Sequence, residues 1–179
     1  VWAVRVWELD PPADVDEPLE WILLTNVPVE TFADACERLD WYACRWIIEE
    51  YHKAMKTGCS IEEMQFTKQE RLQPAIALVS VVAILLLNLR DASRRSDTRE
   101  RPARELVPDV YVTVLSAWRF QAPRRDLTVH EFYYALARLG GHQNRKHDHP
   151  PGWLVLWRGW TQLHAMVEGA RVTGGVQCG

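Results

Sequence analysis

The apolar positions change period along the chain, and each change predicts an element. Residues 1–9 (VWAVRVWEL) are rich in valine and tryptophan and predict a strand. Residues 10–18 hold Pro11, Pro12 and Pro18 with Asp10, Asp14, Asp16 and Glu17, which predicts a loop. Residues 20–27 (EWILLTNV) predict a second strand, and the nearly unbroken apolar run predicts burial on both faces, as in mid-sheet. Residues 30–39 predict a helix with Phe32, Ala35, Cys36 and Leu39 on one face. It leads or kinks into a second helix over 40–58, with Cys44, Ile47, Ile48, Tyr51, Ala54 and Met55 on its apolar side. Gly58 is placed to follow the last turn as a left-handed cap, and Lys56 sits where a cation is favoured.

Further on, residues 59–66 form a short irregular link and 68–90 a long helix with Pro74 near its start. Its core, 75–87, is the most apolar run in the chain. It is short for a membrane span and closely flanked by Arg71 and Arg90, so a buried core helix is expected. Residues 94–108 are densely charged and read as a flexible tether between two lobes. Over 109–121 the β-branched content favours strand, while the spacing of Val110, Val114, Ala117 and Trp118 favours helix; helix is the assignment. Residues 128–139 predict a helix closed by Gly140 and Gly141, and 142–151 a polar loop. Residues 152–169 predict a last amphipathic helix with Trp153, Leu156, Trp157, Trp160, Leu163 and Val167 at helical spacing, followed by a frayed tail of ten residues. No internal repeat is present. The pattern as a whole predicts a mainly α fold with a short β element at the N-terminus.

Composition narrows this modestly. At 179 residues the chain makes one domain or two small ones, and a hydrophobic content of 47% suffices for a core. The net charge of −3 removes any global attraction to polyanions, so a basic patch has to be local. Nine tryptophans exceed what a core of this size needs, so some rings are expected at interfaces or on ligands. Cys36, Cys44, Cys59 and Cys178 form no CxxC pair and are expected as free thiols in a reducing, cytoplasmic setting. No signal peptide is recognisable, no membrane partner is expected, and the start at Val1 inside a strand pattern predicts a piece of a longer protein.

The chemistry concentrates on the 40–58 helix. Tyr42, Arg45, Glu49, Lys53 and Lys56 fall within about 80° of one another on an ideal helix. One account is a solvated face, with Arg45–Glu49 and Glu49–Lys53 pairs worth about 0.2–0.5 kcal/mol each. The other is a phosphate-binding face, because the bases outnumber what one carboxylate needs along about 21 Å of helix. His142, His147 and His149 match no usual zinc spacing and read as a solvated loop, in which Arg145 and Lys146 are able to touch phosphate. There is no GxSxG, P-loop or dinucleotide fingerprint.

Tyr42, Arg45, Glu49 and Lys56 have the spacing Y-x2-R-x3-E-x6-K. This resembles the YREK signature of the DDE transposases of bacterial cut-and-paste insertion sequences, the group of the transposon-five transposase. The blocks WILLTNVPV at 21–29, RWIIEEYHKAMKTG at 45–58, ARLGG at 137–141 and PGWLVLWRGW at 151–160 resemble that family in the same order. The resemblance implies that Glu49 is the third carboxylate of a metal-binding triad in a ribonuclease-H-like fold, working with Mg²⁺ or Mn²⁺. It implies that Tyr42, Arg45 and Lys56, with Lys53 one turn earlier, contact the transposon-end backbone, and that Trp21 stacks on a flipped base. The family's two other catalytic aspartates have no counterpart in matching context, since Asp10, Asp14 and Asp16 are loop residues.

The expectation is therefore a carboxy-terminal portion of a transposase. Residues 1–58 would be the end of the catalytic domain and 59–179 an all-α dimerisation lobe. Its partners would be transposon-end DNA and a second transposase chain, in the bacterial cytoplasm and at the nucleoid when DNA-bound. With one carboxylate of three, enzymatic activity of the chain alone is not expected. The competing readings are a non-catalytic dimerisation or inhibitor module, and a helical domain with no role on DNA.

Overall fold

The computed structural model describes residues 1–15 and 17–174. Asp16, expected in a loop, and Cys178, expected as a free thiol, lie outside the described residues. The chain is mainly helical with a small antiparallel sheet at its N-terminus. By packing it divides into two compact units, Val1–Glu49 and Glu50–Gly179. The expected partition at 58/59 followed presumed roles; by packing, residues 50–58 belong with the helical unit.

In the first unit, β1 (Trp2–Trp7) pairs with β2 (Glu20–Thr25), from Trp2 opposite Thr25 to Trp7 opposite Glu20. An Arg5–Glu20 ion pair of 2.7 Å lies on the exposed surface of this hairpin. The expected burial of β2 on both faces is not found. Among the described residues β2 has only β1 beside it, and Trp21, Ile22 and Leu24 are all exposed. The apolar run reflects what strands of this composition can bury, not what a lone hairpin covers. α1 (Phe32–Ala43) starts at a capping box: the Thr31 hydroxyl accepts from Asp34 N–H, and the Asp34 carboxylate accepts from Thr31 N–H at 2.8 Å. Such a box contributes about 1 kcal/mol and explains why the helix begins after Val29. An apolar cleft lined by Val4, Val6, Leu9, Phe32, Ala35 and Leu39 stays open between β1 and α1.

The single helix expected over 40–58 is broken. α1 continues to Ala43, and at Cys44 one N–H is shared between the carbonyls of Asp40 and Trp41 at 3.3 and 3.2 Å. This tight turn ends α1, and α2 (Arg45–Lys53) begins after it. A π-helical turn, Ala54–Gly58, follows, closed by Cys59 N–H on Ala54 C=O at 2.9 Å. Gly58 is not a left-handed cap; Ser60, at φ 49°, takes that conformation. Gly58 is glycine for another reason: a Cβ there would lie 3.1 Å from Trp153 Cβ.

The second unit is a helical bundle. α3 (Gln69–Arg94), α4 (Asp109–Phe120), α5 (Val129–Leu139) and α6 (Trp153–Val172) enclose a core that includes Leu86, Leu89, Val112, Leu115, Phe132, Leu136, Leu156 and Leu163. α4 is helical despite its β-branched residues, because helical spacing puts Val112 and Leu115 in this core. α5 opens with a second capping box, Thr128 and Glu131. α6 runs past Gly169 to Val172, so the tail expected to fray is helical over 170–172. α5 and α6 approach through two glycines. A Cβ on Gly140 would lie 1.9 Å from Val155 C=O, and one on Gly159 would lie 2.1 Å from Leu136 C=O.

Two expectations for this unit change. Residues 94–108 are no tether. Ala103 N–H donates to Leu127 C=O and Val129 N–H to Arg101 C=O, both at 2.8 Å, while Ala103 and Val107 are buried. The charges of this segment pair locally, as Arg95–Asp97 and Arg101–Glu105, which leaves its apolar residues free to dock. α3 is buried along one stripe only: Val79, Ala83, Leu86, Leu89 and Ser93. Its other side exposes Leu78 (71%), Val81 and Ile84. By length and composition α3 is also apolar enough to cross a membrane.

Candidate nucleic-acid interface

Four of the residues singled out by the YREK spacing and its surroundings come together in the first unit. β2 carries Trp21, which is 42% exposed and whose ring meets the Tyr42 ring edge-on at 5.4 Å. Tyr42 sits in the last turn of α1, half-buried. Arg45, the first residue of α2, lays its guanidinium 5.6 Å from the Tyr42 ring and 4.6 Å from the Trp46 ring. The same guanidinium donates to the Glu49 carboxylate, one turn on. That bond, then the attraction of the Glu49 charge, raises the Arg45 pKa above its ordinary value. The result is a continuous line of contacts, Trp21–Tyr42–Arg45–Glu49, drawn from three elements. The break at Cys44 sits between Tyr42 and Arg45, so one straight helix does not make this arrangement.

Chemically the line offers an exposed π-face at Trp21, a phenol, and a guanidinium already engaged by a carboxylate. A phosphate arriving at Arg45 competes with Glu49 for the same donors. Glu49 is surface-exposed, and its partner is a cation. Among the described residues no group of three or more His, Cys, Asp or Glu is placed to hold a metal. The described side chains therefore do not by themselves fit a divalent ion at Glu49: one carboxylate, bound by an arginine, is not a ligand set.

The two lysines belong to the second unit. Lys53 ends α2 and is exposed; its charge helps to hold the Glu50 carboxyl ionised. Lys56 lies in the π-helical turn and pairs with Glu62 at 2.7 Å. Glu50 is the acid that the spacing argument passed over. It accepts from Arg90 at 2.6 Å and from the Trp153 indole N–H at 3.3 Å. Desolvation pushes its carboxyl upward, but Arg90, Trp153 and Lys53 together outweigh that and hold it below its ordinary value. Only long-range packing, absent from any local pattern, distinguishes Glu50 from Glu49.

Two further residues of the first unit were also missed. Trp46 stacks on Arg45, and its position next to that arginine was the available signal. Arg38 stacks on Trp41 at 4.0 Å, with only 9% of its side chain exposed and its Nε without a partner. The R-x2-W spacing on one helix face pointed to it. In the 142–151 loop His147 and His149 are exposed, and His142 leans on the Tyr134 ring. No family model matches this sequence. The family resemblance rests on the motif residues and blocks themselves.

Proposed function

We propose that the chain is a carboxy-terminal portion of a DDE transposase, the enzyme that cuts and rejoins DNA at the ends of a mobile element. The observation that carries this reading is the Trp21–Tyr42–Arg45–Glu49 line. Residues picked out by a sequence motif from β2, α1 and α2 become neighbours, as residues that share one ligand must. The open apolar cleft and bare strand edge of the first unit support reading it as a remnant of a ribonuclease-H-like α/β domain. In this reading Trp21 stacks on an extruded base, and Tyr42, Arg45, Lys53 and Lys56 position phosphates. Glu49 supplies one carboxylate of a set completed by residues outside this chain, and Mg²⁺ or Mn²⁺ would be held by the complete set. The chain alone is then a DNA-binding piece without strand-cleaving activity.

A fluorescein-labelled duplex with an unpaired terminal thymine tests this by anisotropy. Trp21→Ala and Arg45→Ala should each weaken binding by about 10-fold, the scale of one lost base stack or charged contact. Equal binding by wild type and both variants would overturn the reading, as would Mg²⁺-dependent cleavage of the duplex by this chain.

A second reading, a non-catalytic dimerisation or inhibitor module, is favoured by one observation. Leu78, Val81 and Ile84 form an exposed apolar stripe on α3. Sedimentation should then show a concentration-dependent dimer that Val81→Glu dissociates; a strict monomer at high concentration counts against it.

A further inference from the structure

The helical unit carries a second basic surface, away from the motif residues in sequence and built from different elements. The stretch RFQAPRR, residues 119–125, ends α4 and turns toward α5. Phe120 is its centre. The Arg119 guanidinium lies 5.3 Å and that of Arg124 5.2 Å from the Phe120 ring. On one side is a cleft of about 420 Å³ lined by Arg119, Phe120, His130, Glu131, Tyr134 and Arg138, among others. A second cleft, of about 460 Å³, is lined by Arg104, Arg124, Arg125 and Asp126 with two prolines. The Arg124–Phe120 contact joins a lining residue of one cleft to a lining residue of the other.

The charge here is unbalanced. Arg104, Arg119, Arg125 and Arg138 form no ion pair among the described residues. The two acids present are already committed: Asp126 pairs with Arg124 at 3.0 Å, and Glu131 accepts Thr128 N–H at 3.0 Å as part of a capping box. Four unpaired guanidiniums repel one another, an arrangement that favours a polyanion. The walls are aromatic as well. The Tyr134 ring meets His130 at a tilt of 53°, with centroids 4.7 Å apart, and its hydroxyl has no hydrogen-bond partner among the described residues. The first cleft has room for one base, and its donors suit the base edge or the adjoining phosphate. Alternating guanidiniums and π-faces are what a splayed strand uses, whereas a duplex keeps its bases stacked inside.

We infer that this surface binds single-stranded DNA. Phosphates lie on Arg104, Arg119, Arg125 and Arg138, and one base sits in the α4–α5 cleft against Phe120 and Tyr134. The inference uses none of the Glu49-helix residues and stands whether or not the transposase reading does.

The test uses the whole chain and a fluorescein-labelled twelve-nucleotide poly-thymidine. Arg119→Ala/Arg138→Ala should weaken binding by about 10-fold or more and flatten its salt dependence. Arg119→Gln/Arg138→Gln should do the same and guards against a packing effect of alanine. Lys68→Ala/Arg71→Ala, two exposed cations outside this surface, should leave this affinity within about 2-fold, which separates the surface from a general effect of charge. An oligomer with abasic sites throughout should bind about 10-fold more weakly than the thymidine one. Undiminished binding by both arginine pairs, or equal affinity for the abasic strand, would each overturn the inference. So would full displacement by millimolar inorganic phosphate, which would mark a simple anion site.

Discussion

Arg45 is held by two aromatic rings and a carboxylate at once, so its geometry is set before any ligand arrives. Glu50, its neighbour in α2, has a different task. Its carboxyl is held below the ordinary range, so its stabilising effect is complete above the unfolded pKa of about 4.3 and fades as pH falls through the lower folded value. Glu50→Gln should therefore cost about 1 kcal/mol at pH 7, discounted for partial exposure. Urea midpoints should show the gap to wild type closing below about pH 4. Cys59 gives a second residue-scale test. Burial pushes its thiol up to about 11, whereas Cys36 and Cys44 are exposed. Iodoacetamide at pH 8 should label Cys36 and Cys44 in minutes and leave Cys59 intact until the protein unfolds, as peptide mass mapping would record. At this scale the local contacts were legible, because spacings of three and four residues bring Tyr42, Arg45 and Glu49 together. Other partners were not: Glu62 for Lys56 and Arg90 for Glu50 depend on turns and packing that no local period encodes.

Elements were more readable than their joints. Both capped helices begin where a threonine with an acid three residues on announces them, at Thr31 and Thr128. The 40–58 stretch misled because periodicity cannot register a change of pitch. A shared N–H at Cys44 and a π-helical turn at 54–58 each shift the phase while the residues stay helical in type. The 94–108 segment misled because charge density hid two apolar anchors, Ala103 and Val107. The α5–α6 crossing was invisible for a similar reason: Gly159 interrupts a tryptophan-rich helix with no turn nearby. Gly159→Ala should destabilise the bundle by about 3 kcal/mol, since its Cβ would meet the Leu136 carbonyl, which cannot yield. Gly152→Ala, with nothing within 4 Å, should be nearly silent, and guanidinium melts would separate the two.

Across the whole molecule, apolar burial is distributed unevenly. Val4 is the one core residue that the first unit contributes among those described, whereas the helical unit holds a contiguous core. Native-state hydrogen exchange should therefore find α5 and α6 amides protected to the global limit, and β1 and β2 amides exchanging through small openings orders of magnitude sooner. Comparable protection in the hairpin would contradict this picture. The helical unit also contains the two features most separable by experiment, the arginine surface around Phe120 and the bare stripe of α3. The latter has a consequence during synthesis. Much of the inner stripe of α3 is covered by residues of α5, which leave the ribosome later, and the rest by the earlier turn at 54–58. Until α5 arrives, the nascent chain displays a 26-residue helix that is greasy on nearly every side. Its fate is then a race between translation of the remaining helices and capture by whatever binds oily nascent segments, so slow codons after residue 94 should lower the yield of folded protein.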